Sequence, residues 1–148
     1  MNQKNKYSII LPTYNRANSY LKNAIESVIN QTYKNWELLV IDNHSTDNTK
    51  ELINSYEKNN IKFLINYTRG NIAKSRNLGI KKSTGDYIAF IDSDDTWEPQ
   101  KLEECEKIYG LNSDTLICHS EKWQYENNQM KIVHYGPTKN ATYKNLLI

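Results

Sequence analysis

A chain of 148 residues is long enough to bury one core and too short for two full-sized domains. Its formal net charge of +2, from 19 Lys/Arg against 17 Asp/Glu, lacks the basic surplus of a dedicated nucleic-acid binder, so no nucleic-acid partner is expected. No run of about 20 apolar residues occurs, residues 1–6 lack the apolar stretch of a signal peptide, and Cys105 and Cys118 form no close motif; the expectation is one soluble, cytoplasmic α/β domain over residues 1–148.

Residues 7–11 are a β-prone run that Pro12 should stop, opening a loop over residues 13–16. A helix follows, capped by Asn18 or Ser19, with Leu21, Ile25, Val28 and Ile29 at helical spacing. Residues 37–41 supply a second buried strand, and the polar run 42–47 turns into a helix carrying Leu52 and Ile53. Residues 61–65 are a third strand. After a loop containing Gly70, a helix from about 71 to 82 puts Ile72, Ser75, Arg76 and Gly79 on one face; Ser75 and Gly79 permit close packing and Arg76 can reach a ligand. Residues 87–91 are the fourth apolar strand and end in Asp92-Ser93-Asp94-Asp95, before a helix over 100–109 with Leu102, Cys105 and Ile108 inward. Beyond it the pattern weakens to a strand at 115–118, a hairpin of 122–125 with 130–135 about Asn127-Asn128, and an unfinished pattern of Tyr143, Leu146 and Leu147. This alternation predicts an α/β sandwich.

Acidic residues stand directly after two buried strands, Asp42 after the second and Asp92, Asp94 and Asp95 after the fourth, where open α/β sheets expose ligand loops. Carboxylates one residue apart can converge on a hard divalent cation whose other oxygens come from a nucleoside diphosphate. A cation would also relieve the repulsion within the cluster. The plainer reading is that Asp94 or Asp95 caps a turn before the next helix. Arg76 offers a permanently charged planar fork to phosphate or base, or else pairs with one of these acids in the ligand-free protein. Asp42 can accept from a nucleobase edge and Tyr14 can stack beneath a base, while His44, far in sequence from His119 and His134, has little claim as base or metal ligand.

Five segments, in order, resemble the family-2 glycosyltransferases of the GT-A fold. They are residues 8–16, containing Pro12-Thr13-Tyr14-Asn15-Arg16; residues 25–33; residues 40–47, containing Asp42-Asn43-His44-Ser45; residues 73–79, containing Ser75-Arg76-Asn77; and residues 85–97, containing Asp92-Ser93-Asp94-Asp95. The resemblance covers roughly residues 7–110. It implies a Rossmann-related sandwich that binds a nucleotide-diphospho-sugar, incomplete at its carboxyl end, with an acceptor region beginning at about 115–148. By that resemblance Pro12, Thr13 and Tyr14 border the nucleobase, Asp42 binds its polar edge, and Arg76 holds the nucleotide. Asp92 lies near ribose or diphosphate, and Asp94 contacts a divalent cation, Mn2+ or Mg2+. The implied enzyme transfers sugar with inversion to a carbohydrate, lipid-linked or other acceptor hydroxyl, in polysaccharide or lipopolysaccharide biosynthesis, with room for peripheral association at the inner face of the cell membrane.

Two departures accompany it. Asp42-Asn43-His44-Ser45 stands where Asp-Asp-Gly-Ser is more usual, with one charge fewer and His in place of flexible Gly. The family's catalytic carboxylate would follow Ile148, and neither Glu121 nor Glu126 occupies its motif, so no base is nominated and the chain alone is expected to bind donor but transfer poorly. The alternatives are a nucleotidyltransferase, for which the loop after the first strand lacks a Gly-rich basic phosphate cradle, and a non-catalytic nucleotide-binding module.

Overall fold

A computed structural model of the chain describes residues 5–56, 60–68, 71–111, 122–126 and 129–133. The chain divides into two compact units, Met1–Glu106 and Lys107–Ile148. The larger holds β1 (Tyr7–Thr13), α1 (Leu21–Ile29), β2 (Trp36–Asp42), α2 (Thr49–Asn54), β3 (Ile61–Ile65), α3 (Ile72–Lys82), β4 (Tyr87–Phe90) and the start of α4 (Lys101–Leu111). Its four strands are all parallel, in the order β3-β2-β1-β4. The central pair runs in register from Tyr7 opposite Trp36 to Thr13 opposite Asp42, and every residue of both strands is buried. Ile10, Leu39 and Ile41 form a core cluster against which Leu64 and Leu78 pack.

Pro12 does not stop β1, and the pairing shows why. Thr13 O accepts from Asn43 N on the β2 side at 2.9 Å, whereas Ile10 O accepts from Ile91 N on the β4 side at 3.1 Å. Backbone groups alternate sides along a strand, so Pro12 faces the flank of Ile10, where β4 has already ended at Phe90. Its missing N–H therefore removes no ladder bond. Thr13 is thereby a strand residue rather than a loop residue.

Neither Asn18 nor Ser19 caps α1. Tyr20 holds the N-cap position with helical backbone and no side-chain hydrogen bond, because Ser19 spends both its amide and its hydroxyl on Arg16 O in the preceding turn. Asn71 does cap α3, its Oδ1 accepting from Lys74 N at 3.0 Å. Ser75 and Gly79 are buried, but Ile72, expected beside them, is exposed. Ile72, seven residues before Gly79, lies within about 20° of it round the helix but about two turns away along the axis, as the first residue of α3. In α4, Leu102 is buried and Cys105 half-buried, but Ile108 is exposed rather than inward. Six residues on from Leu102 it lies about 120° round the helix.

At the amino ends of the strands the sheet buries a carboxylate. Glu37 accepts from Ser8 Oγ at 2.7 Å, Thr84 N at 2.6 Å, Thr84 Oγ1 at 2.8 Å and Lys62 Nζ at 2.7 Å, with Lys6 Nζ at 3.7 Å. Burial raises its pKa, but these donors outweigh burial and pull it down to about 2.

The smaller unit contains β5 (Lys122–Glu126) and β6 (Gln129–Val133), antiparallel with Glu126 opposite Gln129. This is the hairpin expected about Asn127-Asn128. The expected strand at 115–118, the terminal pattern at 138–148 and Gly70 lie outside the described residues. Among the described residues no helix is long and apolar enough to cross a membrane.

Candidate functional site

Parallel pairing sets the carboxyl ends of β2, β1 and β4 side by side, and the candidate residues stand along that rim. Asp42 closes β2, Thr13 closes β1 directly opposite it, and Asp92 follows β4 after Ile91. Pro12 is buried just inside the rim and Tyr14, the next residue after Thr13, is exposed. Asp42 is itself buried, and both of its oxygens accept from Ser45 N, at 3.2 and 3.1 Å, while Ser45 Oγ donates to Oδ1. A carboxylate has about four acceptor positions, so this turn does not exhaust it.

The loops after β1 and β2 are laced to each other. Asn15 N donates to Ser45 Oγ at 2.8 Å and Asn15 Oδ1 accepts from Thr46 N at 2.8 Å. Arg16 N donates to Thr49 Oγ1 at 3.1 Å and Ala17 N to Asp47 Oδ2 at 3.0 Å. Burial raises the pKa of Asp47, but the donors of Thr49 and the Ala17 amide hold its carboxyl below the usual range. Asn15 and His44 take left-handed backbone, φ 50° and 64°. Asn tolerates that region more readily than His. Sequence reading passed over Asn15, Asp47 and Thr49 as site-forming residues. The signal was the series Ser45-Thr46-Asp47-Asn48-Thr49, short side chains that bond backbone amides in turns.

Arg76 reaches the rim from α3. Its Nη2 donates to Asp92 Oδ1 at 2.7 Å, the acid pairing foreseen for a ligand-free protein, and its guanidinium lies 5.7 Å from the Phe90 ring centre. Two buried polar atoms have no hydrogen-bond partner among the described residues of this rim: Thr13 Oγ1 and Arg76 Nε. Ile91 and Ser93 point inward, which leaves Asp92 and Asp94 exposed in alternation. Asp95 is half-buried, and its amide closes a turn on Asp92 O at 3.1 Å.

The donor set suits a divalent cation of limited protein ligation. The described residues gather no group of three or more His, Cys, Asp or Glu side chains able to hold a metal. Asp92 and Asp94 offer two exposed carboxylates, and Mg2+-like ions bind through one or two carboxylates with phosphates and water completing the shell.

A profile of the family described as Glycosyl transferase family 2 matches residues 8–146. The chain belongs to that family. This family-2 chain is 36% identical over 140 residues to the UDP-Glc:alpha-D-GlcNAc-diphosphoundecaprenol beta-1,3-glucosyltransferase WfgD of Escherichia coli, covering 95% of the chain and 54% of the relative. It is 32% identical over 123 residues to the amylovoran biosynthesis glycosyltransferase AmsB of Erwinia amylovora, covering 78% and 40%. The chain thus spans about half the length, or less, of these relatives. Among solved structures, S. aureus TarS 1-349 in complex with UDP superimposes with a TM-score of 0.68 at 30% identity, covering 73% of the chain and 33% of TarS. The GT-A α/β fold expected from the sequence is therefore the observed one.

Within this family-2 chain the turn residue Asn43 points away from solvent. Its Oδ1 accepts from Ser75 Oγ at 2.6 Å and Asn66 Nδ2 at 3.1 Å. His44, by contrast, is half-buried with its ring 5.4 Å from that of exposed Tyr67, the two planes tilted by 49°.

Proposed function

We propose that the rim binds the nucleoside-diphosphate end of an activated sugar together with Mn2+ or Mg2+, and that the enzyme transfers the sugar with inversion to a hydroxyl of a carbohydrate or lipid-linked acceptor. The observation that carries this reading is the row Asp42, Thr13, Asp92 at three adjacent strand ends, met from α3 by Arg76. The partnerless Thr13 Oγ1 and Arg76 Nε support it as demands that the described protein groups do not meet.

In this reading Pro12, Thr13 and Tyr14 border the base and Asp42 accepts from its polar edge. Asp92 takes the ribose or diphosphate, and Arg76 exchanges Asp92 for phosphate oxygens, to which its planar fork is matched. Asp94, with Asp92 beside it, would hold the cation, whose charge would stabilise the diphosphate as it leaves. Family membership favours sugar transfer over nucleotidyl transfer. WfgD is a UDP-Glc glucosyltransferase and TarS is solved in complex with UDP, which makes UDP the first nucleotide to test, and WfgD's lipid-linked acceptor motivates peripheral work at the inner face of the cell membrane in polysaccharide biosynthesis.

Calorimetric titration of the folded chain with UDP, GDP and CDP, with and without Mn2+, tests the proposal. UDP is expected to bind in a metal-dependent manner and ahead of the other two. Absence of binding by a demonstrably folded chain at millimolar nucleotide would overturn it.

A further inference from the structure

Beneath Asp42, three neutral side chains from three segments meet out of solvent: Asn43 after β2, Asn66 after β3 and Ser75 in α3, exposed by 2%, 6% and 0%. Besides the two bonds to Asn43 Oδ1, Asn66 Nδ2 donates to Ser75 Oγ at 2.8 Å. The backbone extends the junction, with Asn43 N donating to Thr13 O at 2.9 Å and Asn66 N to Asp42 O at 2.7 Å. Asn66 Oδ1 is already engaged by Thr68, through its amide at 3.3 Å and its hydroxyl at 2.8 Å. Asn43 therefore ties together the ends of β1 and β3 and the body of α3. Its chain neighbour is Asp42, and the chain neighbour of Ser75 is Arg76.

We propose that Asn43 is a positioning residue for donor binding: its hydrogen bond with Ser75 fixes Asp42, which faces the base, relative to Arg76, which faces the diphosphate. This rests on the donor-binding reading above. An amide oxygen suits the position because both donors are neutral and all three side chains are buried, so a carboxylate would bring a buried charge with no counter-ion among these donors. Removing the oxygen leaves the Ser75 hydroxyl and an Asn66 N–H unsatisfied, and α3 must shift or admit water to satisfy them. A nucleotide held at both ends registers a small change in that spacing, just as misplaced groups in a site are costly.

The test is a double-mutant cycle read in nucleotide affinity, with thermal midpoints measured alongside. UDP with Mn2+ is titrated into the wild-type chain, Asn43→Ala, Ser75→Ala and the double variant. Each single change is expected to weaken UDP about tenfold, and the double to be no weaker than the weaker single, because both remove one shared bond. Two results overturn the proposal: single variants that lose thermal stability yet bind UDP within about twofold of wild type, or losses that multiply in the double variant. Ser75→Ala deletes a single oxygen, so it decides the matter alone should Asn43→Ala fail to fold, by the same tenfold and twofold limits. A wild-type chain that does not bind UDP removes the donor reading and this proposal together, an outcome distinct from a failure confined to the variants.

Discussion

Along residues 91–95 each side chain has its own surroundings, and these set the three acids apart. Ile91 and Ser93 face inward, Asp92 is paired with Arg76, Asp94 is exposed, and Asp95 is half-buried beside the turn that its own amide closes. Asp94→Ala is expected to weaken Mn2+-dependent UDP binding by about tenfold or more, roughly 1.4 kcal/mol, and Asp95→Ala by less than about threefold. Metal titrations of the two folded variants check this, and equal losses would remove the assignment of the cation to Asp94. The Arg76–Asp92 pair is partly open to solvent on both sides. Such pairs contribute about 0–1 kcal/mol, so phosphate oxygens can replace Asp92 as the partner of Arg76 at little cost.

At the level of elements, α3 is pressed onto β1 through Gly79. A Cβ there would stand 2.6 Å from Ile10 Cγ2, 3.0 Å from Cγ1 and 3.1 Å from Cδ1. Ile10 is fully buried in the core, and its branched Cβ leaves little freedom to turn away. Gly79→Ala gains about 1 kcal/mol of helix propensity and loses about 1–3 kcal/mol to overpacking. A net loss of stability is therefore expected by urea unfolding; a variant as stable as wild type would show that α3 can lift without cost. The small residues needed for this contact were legible in the sequence at Ser75 and Gly79, as were the apolar runs of all four strands. Pro12 misled because its tolerance depends on where β4 ends, a fact of pairing that no local pattern holds. Ile72 misled because a shared helix face does not say how far along the axis the packing extends, and Ile108 because it stands about 120° round the helix from Leu102. The lacing of Asn15 to Ser45 and Thr46 joins loops some thirty residues apart, and the burial of Asn43 needs three segments at once; neither leaves a trace in spacing.

Across the whole sheet, the proposed recognition groups occupy the carboxyl ends of the strands and a buried ionic knot occupies the amino ends. Glu37 binds protons less readily folded than unfolded, since Lys62, Ser8 and Thr84 outweigh the cost of its burial. Its contribution is therefore complete above its ordinary value of 4.5 and is lost as pH falls from there through about 2. The full loss is on the order of 3 kcal/mol. Urea midpoints between pH 6 and pH 3 are expected to fall more steeply for the wild-type chain than for Glu37→Gln, which cannot titrate; parallel curves would count against this origin of acid sensitivity. One strand joins the two regions. Ser8, which donates to Glu37, and Thr13, with its partnerless hydroxyl, both belong to β1 and are about 17 Å apart at strand rise. By the donor-binding reading, a library varied at Tyr14 would drift in nucleotide preference while its members keep a common acid limit, because the carboxylate that sets that limit and the proposed ligand groups are gripped from opposite ends of the same rod.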